Sequence, residues 1–425
     1  MTDLTRLTAV DALAGMRRGA FSALDLTRAC LARIAARDGE LQAWLCLNPQ
    51  AEAQAATIRA DDPRPLAGLP VGIKDVFDTA GMPTTYNSPL FDGYQPARDA
   101  AAVALLRAAG AIVIGKTDTT EFAAAGRNAA TGNPANLRHT PGGSSAGSAA
   151  AVADFHVPLA LSTQTGGSTI RPASYCGVTA MKPSFGLIST EGMKRYAPSF
   201  DTVGFHARDV DDLALVSRVF DLPTAPASGH VRIGICRTPY ADQLTTPMIA
   251  LMDALSDRHP DWIVFDLPPA FQEIDDLHRA VMFAEGAAAF LPLLRTNGDD
   301  LHTDFQARIA SRTPATMRDA FTARDRLARL AGELENLMKS AGIDALIAPA
   351  APGTAPLGRT PGDPVFNSLW TALQVPCIAL PAGHHDGLPI GLQVVGPRAS
   401  DGLLLQVAGK IAPLLALKEM SLDTV

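Results

Sequence analysis

Short apolar runs recur along this chain, set apart by alanine-rich stretches of helical spacing, and that alternation leaves few architectures open. Pro70-Val71-Gly72-Ile73-Lys74, Ala111-Ile112-Val113-Ile114 and residues 157–162 read as buried strands, with 101–109 and 145–154 as helices among them. Runs that are apolar throughout, instead of alternating, belong to strands covered on both faces. Strand after helix after strand predicts an α/β fold with a mixed, mostly parallel sheet sandwiched between helices. Ala345-Leu346-Ile347-Ala348-Pro349 and Ile390-Gly391-Leu392-Gln393-Val394-Val395 return to the same core-strand character. With 47% hydrophobic and 19% charged residues, the chain has the apolar material such a core needs and too little charge for disorder.

Residues up to about 60 read as helical. Ser22-Ala23-Leu24-Asp25 is a capping box, Leu24, Leu31 and Ile34 share an apolar face, and Pro63-Arg64-Pro65 stops the segment. This divides the chain into an N-terminal helical segment, 1–62, and a main α/β domain, 63–425. Within the latter, 221–229 reads as a connector and 231–236 as a strand. Residues 225–342 read as a more variable, largely helical insertion that caps the substrate. The net charge of −7 speaks against a nucleic-acid partner or an anionic membrane surface. No uninterrupted apolar stretch reads as long enough to span a bilayer. Five unpatterned cysteines and an N-terminus without an apolar leader point to a cytoplasmic protein with reduced thiols and no zinc site.

Two motif matches fail on physical grounds. Gly110-Ala111-Ile112-Val113-Ile114-Gly115-Lys116-Thr117 has P-loop spacing, but a phosphate cradle is a loop after a strand, and here the intervening residues are the strand itself. Gly143-Ser144-Ser145-Ala146-Gly147 fits a nucleophile elbow, which would make Ser145 the nucleophile of an α/β-hydrolase-type esterase. That elbow must follow a strand directly, and Asn136-Leu137-Arg138-His139-Thr140-Pro141 is turn-like.

Three other segments make a chemical proposal together. Lys74 lies inside Val-Gly-Ile-Lys-Asp-Val-Phe, where burial of an ammonium is expensive and lowers its pKa, so that a neutral amine could accept a serine proton. Alternatively it is a strand-end lysine paired with Asp75 or reaching water. Ser144 follows two glycines and Ser168 ends Thr165-Gly166-Gly167-Ser168, beside backbone amides that glycines allow to converge on a substrate oxygen. Each serine, taken alone, is equally a helix N-cap.

Jointly these residues resemble the amidase signature family. The resemblance runs from the helix at 22–34 to Asp386-Gly387-Leu388-Pro389-Ile390-Gly391-Leu392-Gln393, and includes Gly68-Leu69-Pro70-Val71-Gly72-Ile73-Lys74-Asp75, 141–151, 165–173 and Lys182-Pro183-Ser184-Phe185-Gly186. It implies the amidase signature fold for 63–425. It also implies a triad of Lys74 as base, Ser144 as proton bridge after a cis Gly143–Ser144 bond, and Ser168 as nucleophile. Amides around Thr165, Gly166, Gly167 and Ser168 form the implied oxyanion hole, and no metal or organic cofactor is required. Most members read Asp-Thr-Gly-Gly-Ser followed by an apolar residue and Arg. Here Gln164 replaces the aspartate, Ile170 holds the arginine position and Arg171 comes one residue later, within reach of Asp201.

The expected activity is hydrolysis of a small-molecule amide, carbamate or urea, with no nucleic-acid or membrane partner and room for a homodimer. The alternative within the family is a glutaminase subunit passing ammonia to a tRNA-amidating partner, against which the chain's shortness and its Gln164 region count. The loop at 82–88, the segment 123–128 and the helices at 275–294 and 301–317 are expected to line the pocket. Phe283, Phe290 and Trp370 are expected in the core.

Overall fold

The computed structural model describes residues 3–225 and 231–415, so the connector expected over 221–229 lies outside the described residues from 226 onward. Eleven strands among the described residues make one sheet. In chain order they are β1 (Trp44–Leu47), β2 (Pro70–Lys74), β3 (Ile112–Thr117), β4 (Leu159–Gln164), β5 (Thr179–Lys182) and β6 (Thr202–Ala207). Then follow β7 (Ile233–Ile235), β8 (Ile263–Val264), β9 (Ala345–Pro349), β10 (Cys377–His385) and β11 (Leu388–Val395). Across the sheet they run β1-β3-β2-β4-β6-β5-β10-β11-β9-β7-β8.

The sheet is mixed. Strand β2 is parallel to both β3 and β4, and β7 is parallel to both β8 and β9. The strands between β4 and β9 pair antiparallel. Helices Ala146–Ala153 and Ile170–Cys176 pack on each other and on the sheet, and Val210–Val219 with Asp401–Leu415 forms a second such pair. Every residue of β2, β3, β4 and β6 is buried, which is why these strands read as continuous runs and not as alternating ones. The capping box at Ser22 is present, with Asp25 N–H on the serine oxygen and the Asp25 carboxylate on Ser22 N–H.

Within the first 60 residues, Trp44–Leu47 is a strand and not helical. A four-residue apolar run is ambiguous in sequence, and the decision comes from a distant partner. Leu47 lies opposite Gly115 of β3, and a Cβ on Gly115 would stand 2.3 Å from the Cys46 carbonyl oxygen and 2.9 Å from the Trp44 ring. Only a glycine lets β1 close on β3 here. Gly115→Ala is therefore expected to destabilise the fold by about 2 kcal/mol, read as a lowered urea midpoint at unchanged slope. An unaltered midpoint would contradict this packing.

The helical stretch Pro269–Asn297 is long and apolar enough to cross a membrane by length and composition alone, although charged residues interrupt its apolar run. Part of that helix docks inward, with Val281, Ala287 and Phe290 buried. Its polar side chains are used against neighbouring segments, with Glu285 accepting from Ser199 N–H and Oγ, and Asp275 from Ser368 Oγ.

Parallel neighbours end on the same edge of a sheet. Lys74 closes β2 and Gln164 closes β4, with Ile73 opposite Leu161, so the adjacency of β2 and β4 brings Lys74 to the loop that follows Gln164. Carboxyl ends of parallel strands are where open α/β sheets place their sites.

Candidate active site

Successive residues of a strand face opposite sides, and this separates Lys74 from its neighbour. Asp75 pairs with Lys116 at 2.9 Å, both wholly buried, and Lys116 also donates to Thr84 Oγ1 and the Phe77 carbonyl. Lys116 is thus held inside the strand that the P-loop match would have needed as a loop. Lys74 is left on the other face with no access to solvent. Its Nζ lies 2.7 Å from Ser144 Oγ, 2.9 Å from Ser145 Oγ and 2.7 Å from Thr163 Oγ1. These partners are neutral hydroxyls, so burial holds the amine well below the usual lysine pKa, with the Asp201 charge opposing weakly.

Ser144 sits in a bend built by Gly142, at φ +83°, and a cis Gly143–Ser144 peptide bond. Arg171 Nη2 donates to the Gly143 carbonyl at 2.6 Å and holds that bend from behind. Ser145 begins the helix Ala146–Ala153, and the residues before the bend are turns and bends with no strand, which is not the approach an elbow needs. Its hydroxyl is fully buried and donates to the Thr163 carbonyl at 3.2 Å. The residues that sequence reasoning missed are therefore Ser145 and Thr163 as partners of the amine. Thr163 faces Lys74 only through the β2–β4 register, for which no local signal exists.

Ser168 lies in the loop between β4 and the helix Ile170–Cys176, and its carbonyl accepts from Ser145 N–H at 3.3 Å. Among the described residues no hydrogen bond joins Ser144 Oγ to Ser168 Oγ, and no protein acceptor takes the N–H of Gly166, Gly167 or Ser168. Thr165 is anchored twice, its Oγ1 donating to Asp201 at 2.5 Å and its carbonyl accepting from His278 Nε2 at 2.8 Å. The loop meets the glycine-rich bend through the backbone hydrogen bond from Ser145 to Ser168. The set holds a buried amine of lowered pKa, serine hydroxyls and backbone amides without a protein acceptor.

A family model described as Amidase matches residues 25–405. The chain belongs to the amidase signature family. A glutamyl-tRNA(Gln) amidotransferase subunit of Roseiflexus sp. (strain RS-1) is 34% identical, the match covering 96% of this chain and 96% of that relative. Peptide amidase from Stenotrophomonas maltophilia superposes with a TM-score of 0.82 at 27% identity, over 99% of each chain. A chain solved in a vestigial protein complex, bearing on the evolutionary origins of an s-triazine catabolic enzyme, gives 0.87 at 28% identity, covering 98% of this chain and 100% of the other. Amide hydrolysis is the chemistry that goes with this membership.

The amidase departs from the family pattern at Gln164 and Arg171, and the structure gives both a place. Gln164 Oε1 accepts from the N–H of Thr169 at 2.9 Å and Ile170 at 3.0 Å, capping the helix that follows Ser168. Arg171 does not reach Asp201, contrary to expectation. It turns to the carbonyls of Gly143 and Pro361 instead, because Ile170, wholly buried, takes the inward place and sets the next residue at a different angle on the helix. Asp201 collects Thr165 Oγ1 and the N–H groups of Tyr196 and Ala197, and burial pushes its pKa up to about 6 against those hydrogen bonds.

Around the expected pocket, Tyr86 of the 82–88 loop, Phe122, Phe290 and Phe305 form one aromatic cluster. Phe290 and Trp370 are buried as expected, but Phe283 is 36% exposed and lies under the Arg308 guanidinium at 4.7 Å. Its turn of the helix faces the charged segment 303–310 and not the sheet.

Proposed function

We propose that this amidase cleaves a carboxamide C–N bond through an acyl-enzyme on Ser168. The observation that carries the reading is a lysine amine with no solvent and no direct countercharge, hydrogen-bonded to the hydroxyl of Ser144. Neutral Lys74 takes a proton from Ser144 as Ser144 takes one from Ser168, and Ser168 Oγ adds to the amide carbon. The amides of Thr165, Gly166, Gly167 and Ser168 receive the developing oxyanion. Ser144 then returns its proton to the departing nitrogen, the C–N bond breaks, and water hydrolyses the remaining ester to the acid.

Two substrates fit this chemistry. Glutamine fits the curated relatives, which are amidotransferase subunits. In that reading the ammonia goes to a partner that amidates glutamyl-tRNA. The net charge of −7 does not oppose it, because the charge describes this chain's own surface and not that of an assembly in which another protein holds the nucleic acid. A free small amide, carbamate or urea fits the similarity to peptide amidase. The relatives favour glutamine. Ammonia release from glutamine, aliphatic amides, peptide amides and carbamates, with fluorophosphonate labelling in parallel, separates the readings. Turnover of glutamine with label on Ser168 is expected. Rapid turnover of small amides with glutamine inert would select the free-standing hydrolase, and no turnover with no label on Ser168 would overturn both.

A further inference from the structure

We infer that His278 and Thr371 are positioning residues that aim the amides of the oxyanion loop from behind; this rests on the acyl-enzyme reading and deepens it. Each peptide unit is planar, and outside Gly143–Ser144 the described bonds are trans, so a carbonyl and the N–H across the same bond point opposite ways. Whatever fixes the carbonyl of Thr165 therefore directs the N–H of Gly166, and whatever fixes the carbonyl of Gly166 directs the N–H of Gly167.

The structure fixes both carbonyls on the side away from those free N–H groups. His278 Nε2 lies 2.8 Å from the Thr165 carbonyl, and since a carbonyl only accepts, Nε2 carries the hydrogen. The imidazole is buried and lies against the Phe200 ring at 4.4 Å between centroids. Burial also holds its pKa down to about 4, so it is a neutral donor at working pH. Thr371 Oγ1 lies 2.7 Å from the Gly166 carbonyl and receives the Gln164 amide at 2.9 Å. With Gln164 Nε2 donating to it, the threonine hydroxyl has one hydrogen to give, and the Gly166 carbonyl at 2.7 Å is a nearer acceptor than the Asn367 carbonyl of its own helix at 3.0 Å.

This arrangement explains the departure at position 164. Gln164 accepts from the N–H of Thr169 and Ile170 through Oε1 and donates to Thr371 through Nε2, and an ionised carboxylate has no hydrogen for the second bond. His278 arrives from the helix Ile274–Asn297 and Thr371 from the helix Val365–Ala372, far from the glycine loop in sequence.

The test compares His278→Phe, His278→Gln and Thr371→Val with the wild type. Phenylalanine keeps the ring against Phe200 without the donor, glutamine restores a donor near Nε2, and valine keeps the shape of threonine without its hydroxyl. Two rates are read on variants shown by thermal melting to be folded: kcat on an amide, and the second-order rate of fluorophosphonate labelling at Ser168, whose addition step also builds charge on an oxygen. His278→Phe and Thr371→Val are each expected to lower both rates about 10- to 100-fold with KM within about threefold, a smaller loss than deletion of an oxyanion donor itself. His278→Gln is expected to recover most of the rate, and the pH profile of kcat keeps its shape in all three. Wild-type labelling and turnover in folded His278→Phe and Thr371→Val would overturn the inference while leaving the acyl-enzyme reading intact. A wild-type enzyme that labels somewhere other than Ser168 would overturn both.

Discussion

Ser168→Ala is expected to lower kcat by about 10⁵-fold, with KM within a few-fold of wild type and the melting temperature unchanged. The magnitude follows from what loss of a nucleophile does in serine hydrolases: general base and bridge then have nothing to activate, and only binding and the oxyanion hole still act. KM holds because alanine keeps the backbone N–H of residue 168 and the neighbouring glycines. Stability holds because Ser168 Oγ takes part in no hydrogen bond among the described residues, so its removal leaves no buried partner unpaired. Burst kinetics and mass spectrometry of the trapped acyl-enzyme check the assignment. Ser145→Ala serves as the contrast. Its hydroxyl touches Lys74 at 2.9 Å but is fully buried at the start of a helix, so a loss of about 10- to 100-fold is expected there, with the label still on Ser168. Equal loss in both, with the adduct on Ser145, would hand the nucleophile's role to the other serine.

Lys74→Met is expected to reduce kcat/KM by about 10⁴-fold, the upper range for removal of a positioned base. Methionine matches the length and volume of the lysine without a basic nitrogen. The wild-type pH profile carries the decisive sign. Because the free amine is the working form, kcat/KM falls as pH drops through the pKa of Lys74 and is level above it. Burial places that acid limb well below the ordinary lysine range. Lys74→Arg is expected to be as inactive as methionine at every accessible pH, since a guanidinium stays protonated and has no lone pair to offer. A profile rising only near the ordinary lysine pKa would mean that the amine is charged at neutral pH, and a Lys74→Met enzyme within tenfold of wild type would remove lysine from the reaction.

The strands that matter most, and the residues at their ends, were legible in the order of amino acids. Strand β2 is found where its apolar run predicts, because a segment buried on both faces has no polar alternation to blur its limits. Lys74 stood out for the same reason: an ammonium inside such a run has to be explained by chemistry or by a partner. Gly143, Ser144 and the Thr165–Ser168 loop could be read because glycine-rich bends carry local conformational information.

Packing in three dimensions chose the rest, and the common cause is contact between segments remote in the chain. Trp44–Leu47 became a strand because Gly115 leaves room beside it. Asp75 went to Lys116 and not to its neighbour Lys74, which a one-dimensional pattern cannot choose between. Thr163 and Ser145 met the amine, and His278 and Thr371 met the glycine loop, through strand register and helix docking that no local pattern encodes. A side chain's chemistry is written in its own residue, but the partner that lets it act is set by how distant elements come together.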